Sequence, residues 1–191
     1  MSWRTADVST PNLLGGDLDE APPLLSRWGM ASPTPHDDSI RPGEISVPLP
    51  DHTDAGIYFI GRIRTPWLTR RECPRRGDLN GPICSIEVDP RWSEALTGIE
   101  THPRIQVLYW MHQARRDLVL QRPGSSGPMH ATFALRSPVR PNPIASSVVA
   151  LVGRSGTVLT VRGLDCVDGT PLVDLKPERG LAESGLVDPG H

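Results

Sequence analysis

The sequence is poor in cysteine and has no long apolar run. Its three cysteines, Cys73, Cys84 and Cys166, lack Cys-x-x-Cys spacing and are odd in number. They predict reduced thiols in a cytosolic protein rather than a disulfide framework or a zinc site. No stretch approaches the roughly 18 apolar residues that a membrane helix needs, and no secretory signal is recognisable at the N-terminus. These absences favour a cytoplasmic protein.

The motifs of several large enzyme classes are also missing. No Gly-x-Gly-x-x-Gly follows a strand and opens a helix, and there is no P-loop, which argues against Rossmann enzymes and P-loop nucleotidases. There is no His-Glu-x-x-His, and the ten-residue spacing of His102 and His112 has no metal-ligand pattern. A Gly-x-Ser-x-Gly elbow is absent as well. We therefore expect neither a metal nor a Rossmann cofactor site.

Lysine is almost absent, and the arginines that replace it are unevenly placed. Lys176 is the single lysine of the 191 residues. The formal net charge is −2, but residues 1–53 carry −5, residues 54–180 carry +5 and residues 181–191 carry −2. A basic central region between acidic ends predicts an anionic partner for that region.

Composition divides the chain into three parts. Residues 1–53 contain eight prolines and only two aromatic side chains, too little apolar surface to offset the entropy of ordering, so they predict a disordered, dispensable leader. Residues 54–180 contain short strands, turn signals and almost no helical periodicity. This pattern is typical of a mainly β fold, a small barrel or sandwich with one or two short helices. Residues 181–191 predict a flexible tail.

The strands are predicted from β-branched and aromatic content. They are expected at 57–65, 83–89, 104–112, 117–122, 131–135, 144–154, 157–164 and 172–175. Pro90 and Gly98 bound a predicted short helix. Ser155-Gly156 predicts a two-residue hairpin turn between the two strands that flank it.

The segment Arg136–Pro143, RSPVRPNP, is unusually rich in proline and arginine and precedes an apolar run. Proline fixes φ and removes a backbone donor, so the segment cannot be regular helix or central strand. It predicts a stiff loop that enters a strand. With the guanidinium groups of Arg136 and Arg140 and the Asn142 amide, such a loop is either a preorganised binder of a planar or anionic group or a solvated surface turn.

Three further groups of residues have both a structural and a functional interpretation. The Pro74–Arg76 loop is either solvated or contacts a phosphate or carboxylate. His112-Gln113 either caps the end of an apolar strand or belongs to a site. Asp165 and Asp168 flank a turn in which Gly169 is expected to have a positive φ, and acids in such turns are often turn formers.

Four motifs in chain order resemble the TsaA-like family, which includes the TrmO tRNA N6-threonylcarbamoyladenosine methyltransferases. They are IGRIRTPW at 60–67, GIETHPRIQVLYWMHQ at 98–113, FALRSPVRPNPIASS at 133–147 and GLDCVDGTPLVDLKP at 163–177. The resemblance covers about residues 54–180. Four ordered motifs are a far more specific signal than one short pattern.

The resemblance implies a fold, a reaction and a set of contacts. It implies a homodimeric, non-Rossmann β-barrel that uses S-adenosylmethionine to methylate N6 of threonylcarbamoyladenosine at position 37 of the tRNA anticodon loop. The implied cofactor contacts are Pro74, Arg75, Arg76, His112, Gln113, Arg136, Ser146, Leu164, Asp165, Cys166 and Val167. The sequence departs from the family pattern at Ala145-Ser146, where Gly-Leu or Gly-Met is common, and at Arg76, where Gln is common.

The implied chemistry selects candidate catalytic residues. Methyl transfer from a sulfonium is an in-line displacement, so it depends mostly on alignment. The acceptor nitrogen lies between adenine and a urea carbonyl, so a base should take its proton. The candidate bases are Asp165, Asp168 and His112. Arg140, Phe133 and Trp110 are candidates for stacking on the splayed base, and Arg140 and Asn142 for positioning it.

Two alternatives remain: a methyltransferase of the same fold that acts on a small molecule, and a non-catalytic S-adenosylmethionine sensor. The basic central region favours RNA. Larger bacterial members of the family continue into a second domain, whereas this sequence ends fourteen residues after Pro177. We therefore expect tRNA to be held by the barrel and its dimer mate.

Overall fold

The computed structural model describes residues 40–123 and 127–178. The strands are β1 (Ile45–Ser46), β2 (Gly61–Arg64), β3 (Cys84–Val88), β4 (Arg104–Trp110), β5 (Leu118–Gln121), β6 (His130–Ala131), β7 (Ile144–Ser155), β8 (Val158–Arg162) and β9 (Pro171–Pro177). Short 3₁₀ helices span Pro90–Leu96, Ile99–Thr101 and Thr132–Ala134. Residues 1–39 of the predicted leader and the predicted tail at 181–191 lie outside the described residues.

Six strands close into a barrel in the order β2–β3–β8–β7–β4–β9. All neighbours in the barrel are antiparallel. The predicted small β-barrel is therefore confirmed. Strand β4 pairs with β7 along its whole length, from Arg104 opposite Ala150 to Trp110 opposite Ile144, and with β9 on its other side.

The core fills the barrel because successive strand residues point to opposite faces. In β4, Ile105, Val107 and Tyr109 are buried, whereas the residues between them are only partly buried. Ile63, Ile86 and further core residues of the other strands have no exposed surface either. The alternation in β4 and β7 also decides which polar side chains enter the barrel and which remain outside.

The remaining strands form a separate sheet in the order β1–β5–β6, here called the small sheet. Strand β1 falls within the predicted disordered leader, and its Ile45 pairs with Leu120. The Glu44 carboxylate accepts a hydrogen bond from the Arg122 amide at 3.0 Å, and the Arg41 guanidinium donates to the Arg122 carbonyl at 3.0 Å. The structure therefore differs from the prediction at residues 41–46, because polar contacts hold them.

Other boundaries also differ from the prediction. The first barrel strand begins at Gly61 rather than at residue 57, and Ile57 and Tyr58 before it are 37% and 81% exposed. Instead of a strand at 131–135, a 3₁₀ helix begins at Thr132, whose side chain turns inwards. The β7–β8 turn lies one residue later than predicted, with Gly156 at φ 60°.

Two local predictions are confirmed. The helix at Pro90 begins as expected, with Asp89 as its N-cap; the Asp89 carboxylate accepts from the Arg91 amide at 3.0 Å. Residues 135–143 form an irregular segment that leads into β7. No helix within residues 40–123 and 127–178 is long and apolar enough to cross a membrane.

Candidate functional site

The arginine-rich connection between β2 and β3, residues 65–83 and here called the basic loop, packs against the segment after β8. A Cβ at Gly77 would overlap the carbonyl oxygen of Gly163, so the two backbones touch where only glycine fits. Gly163 has φ 108°, a conformation that other residues rarely adopt. This contact brings two groups of predicted cofactor residues, 74–76 and 164–167, to the same end of the barrel.

The thiol of Cys73 also places this loop near Asp165. Burial raises the pKa of Cys73, and the negative charges of Asp165 and Glu72 raise it further. Arg75 and Arg76, which follow Cys73, are exposed. The loop therefore combines a half-buried thiol close to Asp165 with two guanidinium groups that face solvent.

The segment 164–167 contributes one polar side chain to this end of the barrel. Leu164, Cys166 and Val167 are buried in the core, and burial holds the pKa of the Cys166 thiol far above its usual range. Asp165 is partly exposed. Any ligand contact from this segment, apart from the Asp165 carboxylate, must therefore come from the backbone.

Two hydroxyl groups hold the Asp165 carboxylate from inside the barrel. Tyr109 Oη donates to Asp165 Oδ1 at 2.5 Å, and Ser147 Oγ lies 3.1 Å from the same oxygen. The two hydroxyl oxygens are 2.9 Å apart. Burial and the Asp165 charge raise the pKa of Tyr109 far above its usual range, so its hydroxyl stays a donor. These three residues are called the Asp165 cluster below.

Neither Tyr109 nor Ser147 was among the predicted site residues, whereas Ser146 was a cofactor contact implied by the family resemblance. Ser146 lies on the outer face of β7, where its hydroxyl accepts from Gln106 Nε2 at 2.8 Å. Ser147 points into the barrel towards Tyr109. In β4 every second residue points into the barrel, and this alternation would have predicted that Tyr109 points inwards. Ser147 can be identified only once the register of β4 and β7 is known.

The predicted residues His112 and Gln113 form the centre of a turn beside the RSPVRPNP loop. The Ala114 amide donates to the Met111 carbonyl at 2.9 Å and closes this turn. The Met111 amide in turn donates to the Pro143 carbonyl at 2.8 Å. The turn that ends β4 is thus tied directly to the end of the RSPVRPNP loop.

His112 is poorly suited to act as a strong base. Burial lowers its pKa, an interaction with the Trp110 backbone partly opposes this shift, and the positive charge of Arg62 adds to it. Its Nδ1 is buried and has no hydrogen-bond partner among residues 40–123 and 127–178. A buried nitrogen without a partner is a position where a ligand would restore a lost hydrogen bond.

Within the RSPVRPNP loop the polar side chains have different surroundings. Arg140 donates to the carbonyls of Ser137, at 2.8 Å, and Leu135, so its guanidinium braces its own loop. Arg136 and Asn142 are exposed. The sequence predicted that the Arg140 guanidinium could stack on a base, but in the structure it forms hydrogen bonds within its own loop. Arg136 and Asn142 face solvent.

Asp168 does not join the Asp165 cluster through any contact in the described part of the chain. Its Oδ1 accepts from the Thr65 amide at 3.1 Å, and its Oδ2 from Arg64 at 3.4 Å. Its own amide donates to the Trp67 carbonyl at 2.7 Å. The adjacent Gly169 has φ 77°, as predicted. Asp168 therefore ties its turn to the end of β2.

The two aromatic candidates for stacking differ in exposure. Phe133 is 83% exposed on its 3₁₀ helix. Trp110 is partly buried: the Arg116 guanidinium lies 5.4 Å from its ring centroid, and Phe59 lies 6.3 Å away. Phe133 can receive a planar ligand without rearrangement. Residues 40–123 and 127–178 contain no group of three or more His, Cys, Asp or Glu that could hold a metal ion.

The family model of the tRNA-methyltransferase O N-terminal domain matches residues 62–179, more than half of the chain. The chain belongs to this TrmO family. Its relatives include the probable S-adenosyl-L-methionine-binding protein VirR of Rhizobium radiobacter, 47% identical over 78% of this chain and 85% of VirR. The tRNA (adenine(37)-N6)-methyltransferase of Escherichia coli is 35% identical over 65% of this chain and 58% of that enzyme.

Solved structures of TrmO share the barrel. The structure of TrmO from Pseudomonas aeruginosa superposes with a TM-score of 0.55 and 32% identity, covering 71% of this chain and 61% of the TrmO chain. A second TrmO structure gives a TM-score of 0.58 and 31% identity, covering 73% and 63%. This TrmO-family chain therefore spans about six-tenths of the length of these proteins.

Proposed function

We propose that this TrmO-family chain is an S-adenosylmethionine-dependent tRNA methyltransferase that methylates N6 of threonylcarbamoyladenosine at position 37 of the anticodon loop. Family membership and the names of the relatives support this proposal. The observation that carries it is the Asp165 cluster, a carboxylate held at one end of the barrel beside an exposed basic loop.

The residues present fit S-adenosylmethionine, which supplies a methyl group as a sulfonium when it is bound. Its carboxylate suits the exposed guanidinium groups of Arg75 or Arg136. Its adenine has hydrogen-bonding groups along its edges. The backbone of residues 164–167 and His112 Nδ1, which lacks a partner in the described part of the chain, can form hydrogen bonds with such groups. The positions implied by the resemblance thus offer the donor types that this cofactor requires.

The basic loop fits the phosphate backbone of tRNA. Arg70, Arg71, Arg75 and Arg76 are all exposed. The acid among them, Glu72, accepts from the Leu68 and Thr69 amides at 2.8 and 2.9 Å, so its carboxylate is engaged within the loop. We expect tRNA binding to weaken as salt rises. The logarithm of the binding constant should fall by about 0.7–0.9 for each phosphate contact when the salt concentration rises tenfold. Phe133 offers a surface on which an unpaired base can stack.

The proposed enzyme acts as a homodimer. Three apolar residues of one face of β7, Ile144, Val148 and Val152, are 40%, 38% and 54% exposed. They lie on the outside of the barrel, where a second copy would cover them. Light scattering at tens of micromolar tests the pairing. Two copies are expected for the wild type and one for Val148→Asp, and a monomeric wild type contradicts it.

A specific observation also favours the sensor alternative: several relatives are named as S-adenosyl-L-methionine-binding proteins. In that case the Asp165 end of the barrel binds the cofactor and transfers nothing. The small-molecule alternative keeps the transfer but changes the acceptor. One assay separates the proposed function from both alternatives.

The assay combines purified protein, S-adenosylmethionine and either tRNA that carries the threonylcarbamoyl group or the same tRNA without it. Nucleosides are then analysed by mass spectrometry. We expect a methylated threonylcarbamoyladenosine from the first tRNA and no product from the second. Equal methylation of both tRNAs contradicts the proposed acceptor. If the cofactor binds and both tRNAs stay unmethylated, the sensor or small-molecule function replaces the proposal.

A further inference from the structure

The proposed reaction needs one base, and the three candidates have different surroundings. Both carboxylate oxygens of Asp168 accept hydrogen bonds from Thr65 and Arg64, so it has no oxygen without a protein donor. His112 is a weakened base, because burial lowers its pKa. Asp165 differs from both, because the hydrogen bonds that it accepts from the described part of the protein all reach one of its two carboxylate oxygens.

The asymmetry at Asp165 comes from the two hydroxyl groups. Tyr109 and Ser147 both reach Oδ1. Within the described part of the chain no donor reaches Asp165 Oδ2. If Oδ2 were buried, it would be a buried polar atom without a partner, and His112 Nδ1 is the only such side-chain atom there. Oδ2 is therefore accessible. Because both hydroxyl groups lie at Oδ1, Oδ2 is the oxygen with the greater remaining capacity to accept a proton.

The other titratable groups beside Asp165 are uncharged at neutral pH. Tyr109 from β4, Cys73 from the basic loop and Cys166 from the same segment surround it. Burial raises the pKa of all three, so they stay neutral through the pH range in which a carboxylate loses its proton.

We propose that Asp165 is the general base of methyl transfer and that Tyr109 and Ser147 are positioning residues that reserve Oδ2 for the acceptor. This inference rests on the proposed function. Asp165 Oδ2 takes the proton of the acceptor nitrogen, whose electron pair forms the new bond to the methyl carbon. The bond between carbon and sulfur breaks, its electron pair stays on sulfur, and the products are a neutral thioether, a methylated nitrogen and a protonated Asp165.

The first test compares Asp165→Asn with the wild type and with Asp174→Asn, which changes a partly exposed acid that pairs with Lys176. Asp165→Asn is expected to lower turnover about 10²–10⁴-fold, the range that a general base contributes. Cofactor affinity by calorimetry is expected to change less than about threefold, because the backbone of 164–167 is kept. Asp174→Asn should match the wild type in both measurements.

The second test addresses positioning through Tyr109→Phe, with Tyr58→Phe at an 81% exposed tyrosine as the matched control. Loss of the Tyr109 donor should move the acid limb of the pH–rate profile upwards by about one pH unit, because the ionised carboxylate loses a hydrogen bond. Ser147→Ala should move it in the same direction, and Ser147→Thr, which keeps the hydroxyl, should restore it. Tyr58→Phe should leave the profile unchanged.

The outcomes separate this inference from the proposed function. A wild type that methylates neither tRNA contradicts the function itself. If the wild type methylates and Asp165→Asn retains its turnover, Asp165 is not the base. Parallel losses of turnover and cofactor affinity in Asp165→Asn would instead make Asp165 a cofactor ligand. An acid limb that stays in place in Tyr109→Phe overturns the positioning role.

Discussion

The barrel and the small sheet are stabilised by different interactions. The barrel is filled by apolar side chains such as Ile63, Ile105 and Val149, which have no exposed surface. At the small sheet the buried groups include Gln121 of β5 and Thr132 of the 3₁₀ helix that follows β6, which are 5% and 3% exposed. Apolar packing is strong and non-directional, whereas buried polar groups stabilise only when each partner is in place.

The polar contacts of the small sheet extend to the RSPVRPNP loop. Gln121 Nε2 donates to the Val139 carbonyl and to Thr132 Oγ1, both at 2.6 Å. Thr132 Oγ1 donates to the Leu118 carbonyl at 2.6 Å. The barrel therefore positions the Asp165 cluster by packing, and the small sheet positions the loop by directed hydrogen bonds. Substitutions in the two regions should have different consequences.

The largest effect is expected from the barrel core. Ile105→Ala removes a side chain with no exposed surface from β4, and such truncations cost about 2–5 kcal/mol in the free energy of unfolding. Urea denaturation measures the loss, with Val119→Ala at a 39% exposed position of the small sheet as the control. Equal losses in the two variants would remove the distinction between the regions.

A smaller effect is expected from the buried polar network. Thr132→Val keeps the shape of the side chain but removes the donor to the Leu118 carbonyl and one of the two acceptors of Gln121 Nε2. The expected loss is about 1–3 kcal/mol in the free energy of unfolding. Turnover should fall beyond the fraction unfolded, because Gln121, which holds the Val139 carbonyl of the RSPVRPNP loop, is no longer fixed by Thr132. A fall in stability with unchanged turnover would show that the loop is held independently.

The sequence predicted the features that depend on local pattern. β-Branched and aromatic content was sufficient to predict the barrel strands, and the prolines of residues 136–143 were sufficient to predict an irregular loop. The positive φ of Gly169 followed from its place in a turn. These features are set by neighbouring residues, so no knowledge of the tertiary fold was needed.

The features that the sequence could not predict depend on contacts between distant residues. The Tyr109 hydroxyl meets an aspartate 56 residues further along the chain. Whether Ser146 or Ser147 faces the barrel depends on a one-residue difference in strand parity. Asp168 becomes a structural brace only through Thr65, 103 residues away. Strand β1 was missed because contacts with Arg122, rather than apolar burial, hold it.

A pair of truncations tests where the folded domain begins. Removal of residues 1–39 is expected to leave the melting temperature unchanged, in keeping with a dispensable leader. Removal of residues 1–47 also deletes β1 and the Glu44 contact with Arg122. A loss of about 1 kcal/mol corresponds to roughly 2–4 °C for a domain of this size. Identical melting temperatures for the two truncations would contradict a stabilising role for β1.

The smallest effect concerns the reactivity of Cys73. The Asp165 charge raises the pKa of this thiol, so Asp165→Asn should lower it and increase the thiolate fraction at a given pH. Alkylation by iodoacetamide near pH 8, followed by mass spectrometry of the modified peptide, should be faster by about two- to fivefold. Asp168→Asn is the matched control and should leave the rate unchanged. A rate unaffected by Asp165→Asn would contradict the closeness of the two residues.

The central claim is that the barrel end and the RSPVRPNP loop together form one S-adenosylmethionine site, and titration calorimetry of the cofactor tests it most directly. The control is Arg91→Ala. Arg91 lies in the 3₁₀ helix Pro90–Leu96, beside the β7–β8 turn. This turn leads into the start of β8, whereas Asp165 follows the other end of that strand. Arg136→Ala should weaken binding about ten- to a hundredfold with an unchanged melting temperature, because it removes one charge-assisted contact. Arg91→Ala should bind as the wild type does. No binding by the wild type, or full affinity in Arg136→Ala, would contradict the claim.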